Sequence, residues 1–210
     1  MQIEQFVMAY RIDQDRIRAM LPDGFVSLRP VLRINTELRK PADSEDDYNE
    51  VYVEFNTPVE AYGRRGWLNI ANWQSPADPV SFEREGKTVT IRAPFLTLSY
   101  TGVGIEGGCP AEKDNDGCFY NAAHGTIQPG ERTTEFRPAK QITENKEFCD
   151  CSFAWRFHDG DAAGKSEGKT LPTFEAPVSR TYEKQPLTAE NTAAIPCEQV
   201  LGSYIVRFAR

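Results

Sequence analysis

Between residues 31 and 39 the chain alternates with period two. Leu32, Ile34, Thr36 and Leu38 fall on one side, and Arg33, Asn35, Glu37 and Arg39 on the other. This is the pattern of a strand with a different environment on each face. After an acidic loop, PADSEDDY, the same period returns at residues 50–62, where Val51, Val53 and Phe55 alternate with Tyr52, Glu54 and Asn56. The turn GRRG at 63–66 leads into Trp67-Leu68-Asn69-Ile70, which predicts a hairpin. Residues 80–84 and 88–92, around Glu85-Gly86-Lys87, predict a second one. Pro94 interrupts, and residues 95–100 resume with Leu96 and Leu98 alternating. The last eleven residues alternate Tyr204, Val206 and Phe208 with Ile205, Arg207 and Ala209.

Helical signals are short. Asp13 is a candidate N-cap, and Ile17, Met20 and Leu21 form one apolar face before Pro22 and Gly24 end the helix. Residues 189–194 read as one more helical turn. Residues 3–11 form a mixed apolar run. Residues 119–120, 132–137, 146–158 and 170–184 read as further extended segments, and DGDAAGKSEGK at 159–169 as a flexible excursion. About ten short strands with glycine and proline turns, and one or two short helices, predict a mainly β fold of sandwich or barrel type. No repeat or clear linker divides the chain, so 1–210 is expected to be one domain.

Charge narrows the partners. Against 24 basic residues stand 31 acidic ones, a formal net charge of −7. That balance repels phosphate backbones and anionic lipid, so neither nucleic acid nor membrane is an expected partner. The N-terminus lacks a basic, apolar leader, and no apolar run approaches membrane-spanning length, which predicts a cytoplasmic protein. The five cysteines, Cys109, Cys118, Cys149, Cys151 and Cys197, are an odd number without a secretory signal, and are expected to be free thiols.

The most site-like stretch is IEGGCPAEKDNDGCF, residues 105–119. Counting from Glu112, the acidic groups at positions 1, 3 and 5 (Glu112, Asp114, Asp116) and Gly117 at position 6 match the start of an EF-hand loop, but position 12 is Ala123 instead of glutamate and no helices flank the loop, so an EF-hand is rejected. Cys109 and Cys118 are too far apart for a zinc knuckle. A bridge between them would close a short loop, a possibility the glycines allow. The stretch reads as a lid or rim loop, with Cys109, Glu112 and Cys118 as secondary candidates. No metal or cofactor is expected.

Three motifs in the first third carry a family resemblance. Tyr10-Arg11-Ile12-Asp13 is followed by Met20-Leu21-Pro22-Asp23; next comes Pro30-Val31-Leu32-Arg33-Ile34; then Tyr48-Asn49-Glu50, with Gly66-Trp67-Leu68 further on. In order and spacing this resembles the acetoacetate decarboxylase family over roughly residues 5–75. The resemblance implies curved antiparallel sheets forming a large β-barrel-like fold with one or two short helices, a partly polar cavity and a homo-oligomer. It also implies a lysine Schiff base with a small keto acid, an electron sink for loss of carbon dioxide that requires a neutral, desolvated amine. The family's Gly-Arg-Glu … Pro-Lys motif is absent. Its region holds Arg84-Glu85-Gly86-Lys87, which makes Lys87 the candidate nucleophile. Glu50 matches the family's acidic position and is the candidate acid–base or orienting group. Arg33, Glu37 and Arg39 would then line the cavity, the arginines able to hold a carboxylate bidentately. The alternatives are a non-catalytic barrel that binds small molecules without the lysine, and a β-sandwich interaction module whose polar strand face is outer surface.

Overall fold

The computed structural model describes residues 1–94, 96–106, 118–121, 128–131, 151–157, 163–166 and 179–210. Its alternating stretches become the strands β1 (Gln2–Arg11), β2 (Val26–Ser27), β3 (Val31–Lys40), β4 (Glu50–Ala61), β5 (Arg64–Gln74), β6 (Ser81–Glu85), β7 (Thr88–Arg92) and β8 (Leu96–Gly102). They continue as β9 (Ile105–Glu106), β10 (Cys118–Asn121), β11 (Gln128–Glu131), β12 (Cys151–Phe157), β13 (Ala163–Ser166) and β14 (Gln199–Ala209). Two five-residue helices, α1 (Gln14–Arg18) and α2 (Ala189–Ala193), complete the described elements.

The strands form two sheets. The larger runs β11-β10-β5-β4-β3-β1-β14-β9, with β2 paired to β4, and curls into a half-barrel. The smaller runs β13-β12-β8-β7-β6. Pairing is antiparallel except where β10 meets β5 and β9 meets β14. The fold is thus mainly β, as the alternation predicts, with the curved antiparallel sheets and short helices that the family resemblance implies.

One face of the half-barrel packs on the smaller sheet. Phe6, Met8, Leu32, Ile34, Leu38, Val53 and Phe55 share a buried cluster with Val89, Ile91, Leu96, Leu98 and Tyr100. Phe6 and Tyr100 stack with ring centroids 3.5 Å apart. Each such side chain contributes about 1.5–3 kcal/mol through burial. At the margin Arg84 of β6 donates to Glu4 of β1, an ion pair that ties the two sheets together.

Local chemistry explains the connections. The β4–β5 hairpin turns on Tyr62 and Gly63, both at positive φ (53° and 71°), the conformation of a two-residue primed turn. Asp13 caps α1 by accepting from the Asp15 backbone N–H at 3.0 Å. The helix stops at Arg18, earlier than Pro22 suggests, and Met20 and Leu21 reach the interior from the following turn, where both backbone N–H groups donate to Ile17.

Three expectations need correction. Residues 2–11 form a ten-residue strand between β3 and β14, not merely an apolar run. Within the excursion at 159–169, Ala163–Ser166 pairs with β12. Residues 179–184, placed in an extended segment, join no sheet. They are tied to α1 instead. The Arg180 backbone N–H donates to Asp15 at 2.5 Å and the Tyr182 hydroxyl to Asp13 at 2.6 Å. The Arg180 backbone N–H, then the Arg18 side chain, hold the Asp15 carboxyl below its ordinary range. Phe95 and residues 132–137 and 146–150 lie outside the described residues. No described helix is long and apolar enough to cross a membrane.

Candidate functional site

At its centre the polar half of β3 is as buried as the apolar half, with Arg33 and Arg39 partly buried on either side. Asn35 is 1% exposed and Glu37 fully buried. The register gathers this face from several strands. Asn35 lies opposite Glu54, Glu37 opposite Tyr52, and Arg33 opposite Asn56 across the β3–β4 pair. Gln5 of β1 lies opposite Glu37 on the other side. In the β4–β5 pair a register shift between Phe55 and Asn56 leaves Ile70 as an extra residue and sets Asn69 opposite Asn56.

Two acid–base centres result. In the first, Arg39 engages Glu37 Oε2 through Nε at 2.8 Å and Nη2 at 2.7 Å. Glu37 Oε1 faces Gln5 Nε2 and Arg210 Nη2, each at 3.5 Å. The Arg39 guanidinium also lies over the Tyr52 ring at 4.5 Å. In the second, Glu54 is held largely by neutral donors. Asn35 Nδ2 donates to Oε1 at 2.8 Å, Asn56 Nδ2 to the same oxygen at 3.1 Å, and the Tyr52 hydroxyl to Oε2 at 2.8 Å. Arg33 Nη2 approaches Glu54 only to 4.0 Å, an ion-pair distance beyond hydrogen bonding. Its guanidinium carbon lies over the Trp67 ring, 3.6 Å from the ring centroid.

Charged groups so far from water are costly to assemble and are matched here residue by residue. A guanidinium stacked on an indole, beside a carboxylate and amides, can orient a planar anion. Glu54 and Tyr52 form a hydrogen-bonded pair next to it. Among the described residues no group of three or more histidine, cysteine or acidic side chains could hold a metal ion.

Of the candidates taken from sequence, Arg33, Glu37 and Arg39 come together on this face. Glu50 opens β4 opposite Arg39, half-buried at its end. Lys87 does not join them. It is exposed in the β6–β7 turn, a setting that withholds the desolvation a Schiff-base amine needs. Lys40 and Lys184 are also occupied elsewhere, Lys40 on the Asp46 carbonyl and Lys184 on Asp23. Cys109 and Glu112 lie outside the described residues, and of Cys118 only its place at the start of β10 is described. Cys197 is a free thiol in a half-buried position, and burial pushes it up, away from the reactive thiolate form. Sequence reasoning passed over Tyr52, Glu54, Asn56 and Asn69. Their parity along the two strands was visible, but their meeting with Arg33 depends on register and on the bulge at Ile70.

No protein-family model matches the chain, and no curated protein matches it. Among solved structures it is similar to the acetoacetate decarboxylase of Legionella pneumophila, at 13% identity over 99% of this chain and 81% of that one, with a TM-score of 0.48. It is also similar to the enduracididine biosynthesis enzyme MppR complexed with pyruvate, at 12% identity over 97% and 83% of the two chains, TM-score 0.47. A third similar structure is an acetoacetate decarboxylase-like enzyme from Sphingomonas wittichii, at 12% identity over 98% and 88%, TM-score 0.44. At these identities the likeness concerns the course of the backbone alone.

Proposed function

We propose that the chain binds a short organic or keto acid on the buried polar face of β3 and β4, with Arg33 as the anchor for its carboxylate. One observation carries this reading: the Arg33 guanidinium lies 3.6 Å from the Trp67 ring centroid and 4.0 Å from Glu54, beside the buried Asn35, Asn56 and Asn69. A planar cation fixed in this way suits a planar anion. Arg39, engaged twice by Glu37, orders the neighbouring end of the face, and Glu50 is the acidic group at its rim. An outer face on an interaction module would be wet, and Asn35 and Glu37 are not.

The sequence resemblance implies a lyase acting through a lysine. Lys40, Lys87 and Lys184 favour binding without that step, because none of these three joins the buried face. The reading carries with it a single-domain, cytoplasmic homo-oligomer, which analytical ultracentrifugation of the purified chain would test for assembly.

Two measurements separate the possibilities. Butanoate and acetoacetate raise the melting temperature of the wild-type chain but not of Arg33→Ala; no shift with any short acid sinks the binding reading. Borohydride reduction in the presence of acetoacetate leaves every lysine unmodified; a reduced adduct on any lysine, located by peptide mass, establishes the lyase instead.

A further inference from the structure

Three amide oxygens on this face have no hydrogen-bond partner. They are Oδ1 of Asn35, Asn56 and Asn69, on side chains that are 1%, 0% and 1% exposed. Asn35 and Asn56 cannot be turned over to remedy this. Their nitrogens both donate to the Glu54 carboxylate, and a flip would set oxygen against oxygen. Asn69 Nδ2 faces the Tyr52 hydroxyl at 3.5 Å. Buried acceptors in this state are costly, on the order of 1–3 kcal/mol each, and call for a donor.

We infer that the acid bound here carries a hydrogen-bond donor of its own, a hydroxyl or ammonium group, which docks at the Asn35, Asn56 and Asn69 oxygens beside Glu54. This inference rests on the acid-binding reading and adds a specificity to it. Position sets how far the donor lies from the carboxylate. Asn56 is the direct cross-strand partner of Arg33, and opposite residues in an antiparallel pair have Cα atoms about 4.5–5.5 Å apart. At the side-chain tips, Arg33 Nη2 stands 4.0 Å from Glu54 Oε1, the oxygen that the Asn35 and Asn56 amides bond at 2.8 and 3.1 Å, so the second or third carbon of an acid held on Arg33 lies toward those amides. The ligand class is a 2- or 3-hydroxy acid or amino acid of short chain. A bare metal cation fits the oxygens less well, because two amide N–H groups and the Arg33 guanidinium already surround the Glu54 carboxylate.

The test is a calorimetric titration of the full chain with butanoate, 2-hydroxybutanoate, 3-hydroxybutanoate, 2-aminobutanoate and, without a carboxylate, 1,2-butanediol. At least one donor-bearing acid binds about tenfold or more tighter than butanoate, the effect of one well-made buried hydrogen bond. Asn69→Ala narrows that ratio severalfold. Equal affinity for butanoate and every donor-bearing acid overturns the donor subsite while leaving the carboxylate anchor standing. Binding of the diol with no binding of butanoate keeps the subsite and removes the anchor. No binding by any of the five overturns both. The wild-type series decides these outcomes even where the variant does not fold.

Discussion

On one side of β3, Leu32, Ile34 and Leu38 press into the apolar cluster between the sheets. On the other, one residue out of step, Asn35 and Glu37 are equally shut away from water. The first face is held by area and shape, and best tolerates exchanges among apolar side chains of similar volume. The second is held by partners at specific atoms, and loses much when one of them goes. Burial alone therefore does not distinguish core from site in this strand. The difference lies in what each side chain must find once it is buried.

Breaking the polar face has the largest expected effect. Glu37→Ala leaves Arg39 and Arg210 facing a buried gap and lowers stability by about 3–5 kcal/mol, read from urea unfolding. Replacing Glu37 and Arg39 together with leucine recovers part of that loss, as the more deeply buried of the two orphaned cations is gone; a double variant as unstable as the single one contradicts the partner argument. On the apolar face Leu38→Ala costs about 2–5 kcal/mol, and no second substitution of a charged neighbour restores it.

A smaller effect runs the other way. Thr36 sits on the apolar face, fully buried between Phe6 and Val53, and its hydroxyl has no partner. Thr36→Val keeps the shape, removes the lone polar atom and raises stability by about 1 kcal/mol. A loss instead would mean that the faces are less cleanly divided than the register indicates.

The smallest effect lies away from both faces, at Asp15. Its carboxyl is held below the ordinary range by the Arg180 N–H and by Arg18, so its folded-state pKa lies below the unfolded one. The stabilisation is complete above the unfolded value and fades as pH falls through the folded value. Acidification therefore releases residues 179–184 from α1, which amide exchange near Arg180 would report. Asp15→Asn flattens this response and leaves ligand binding on the β3 face intact.

Much of the larger sheet was legible in the sequence because its strands have unlike faces. Residues 31–39 and 50–56 alternate openly, and the cap at Asp13 has a local chemical signature. The strand at 2–11 was harder to read. With Glu4, Gln5, Phe6, Val7 and Met8 all buried, it has no wet face to mark the period. For the site, Arg33, Glu37 and Arg39 stand out as charges at regular intervals on one strand. Their partners do not, since Glu54, Asn56 and Asn69 become neighbours of Arg33 only through cross-strand pairing, which a one-dimensional pattern does not contain. Lys87 illustrates the opposite case. A nearby Arg-Glu pair made it look like a nucleophile, whereas the physics of Glu85-Gly86-Lys87 is that of an exposed hairpin turn.

The unpaired Ile70 carries a consequence for how this protein can vary. From the bulge to the hairpin turn, the inward or outward direction of every β5 side chain is set by that one additional residue. Remove it, and Leu68 changes places with Asn69 and Trp67, so the indole beneath Arg33 leaves this face together with one of the three amide oxygens. The loss of a single codon there would displace both residues at once, which no single exchange of one side chain for another does.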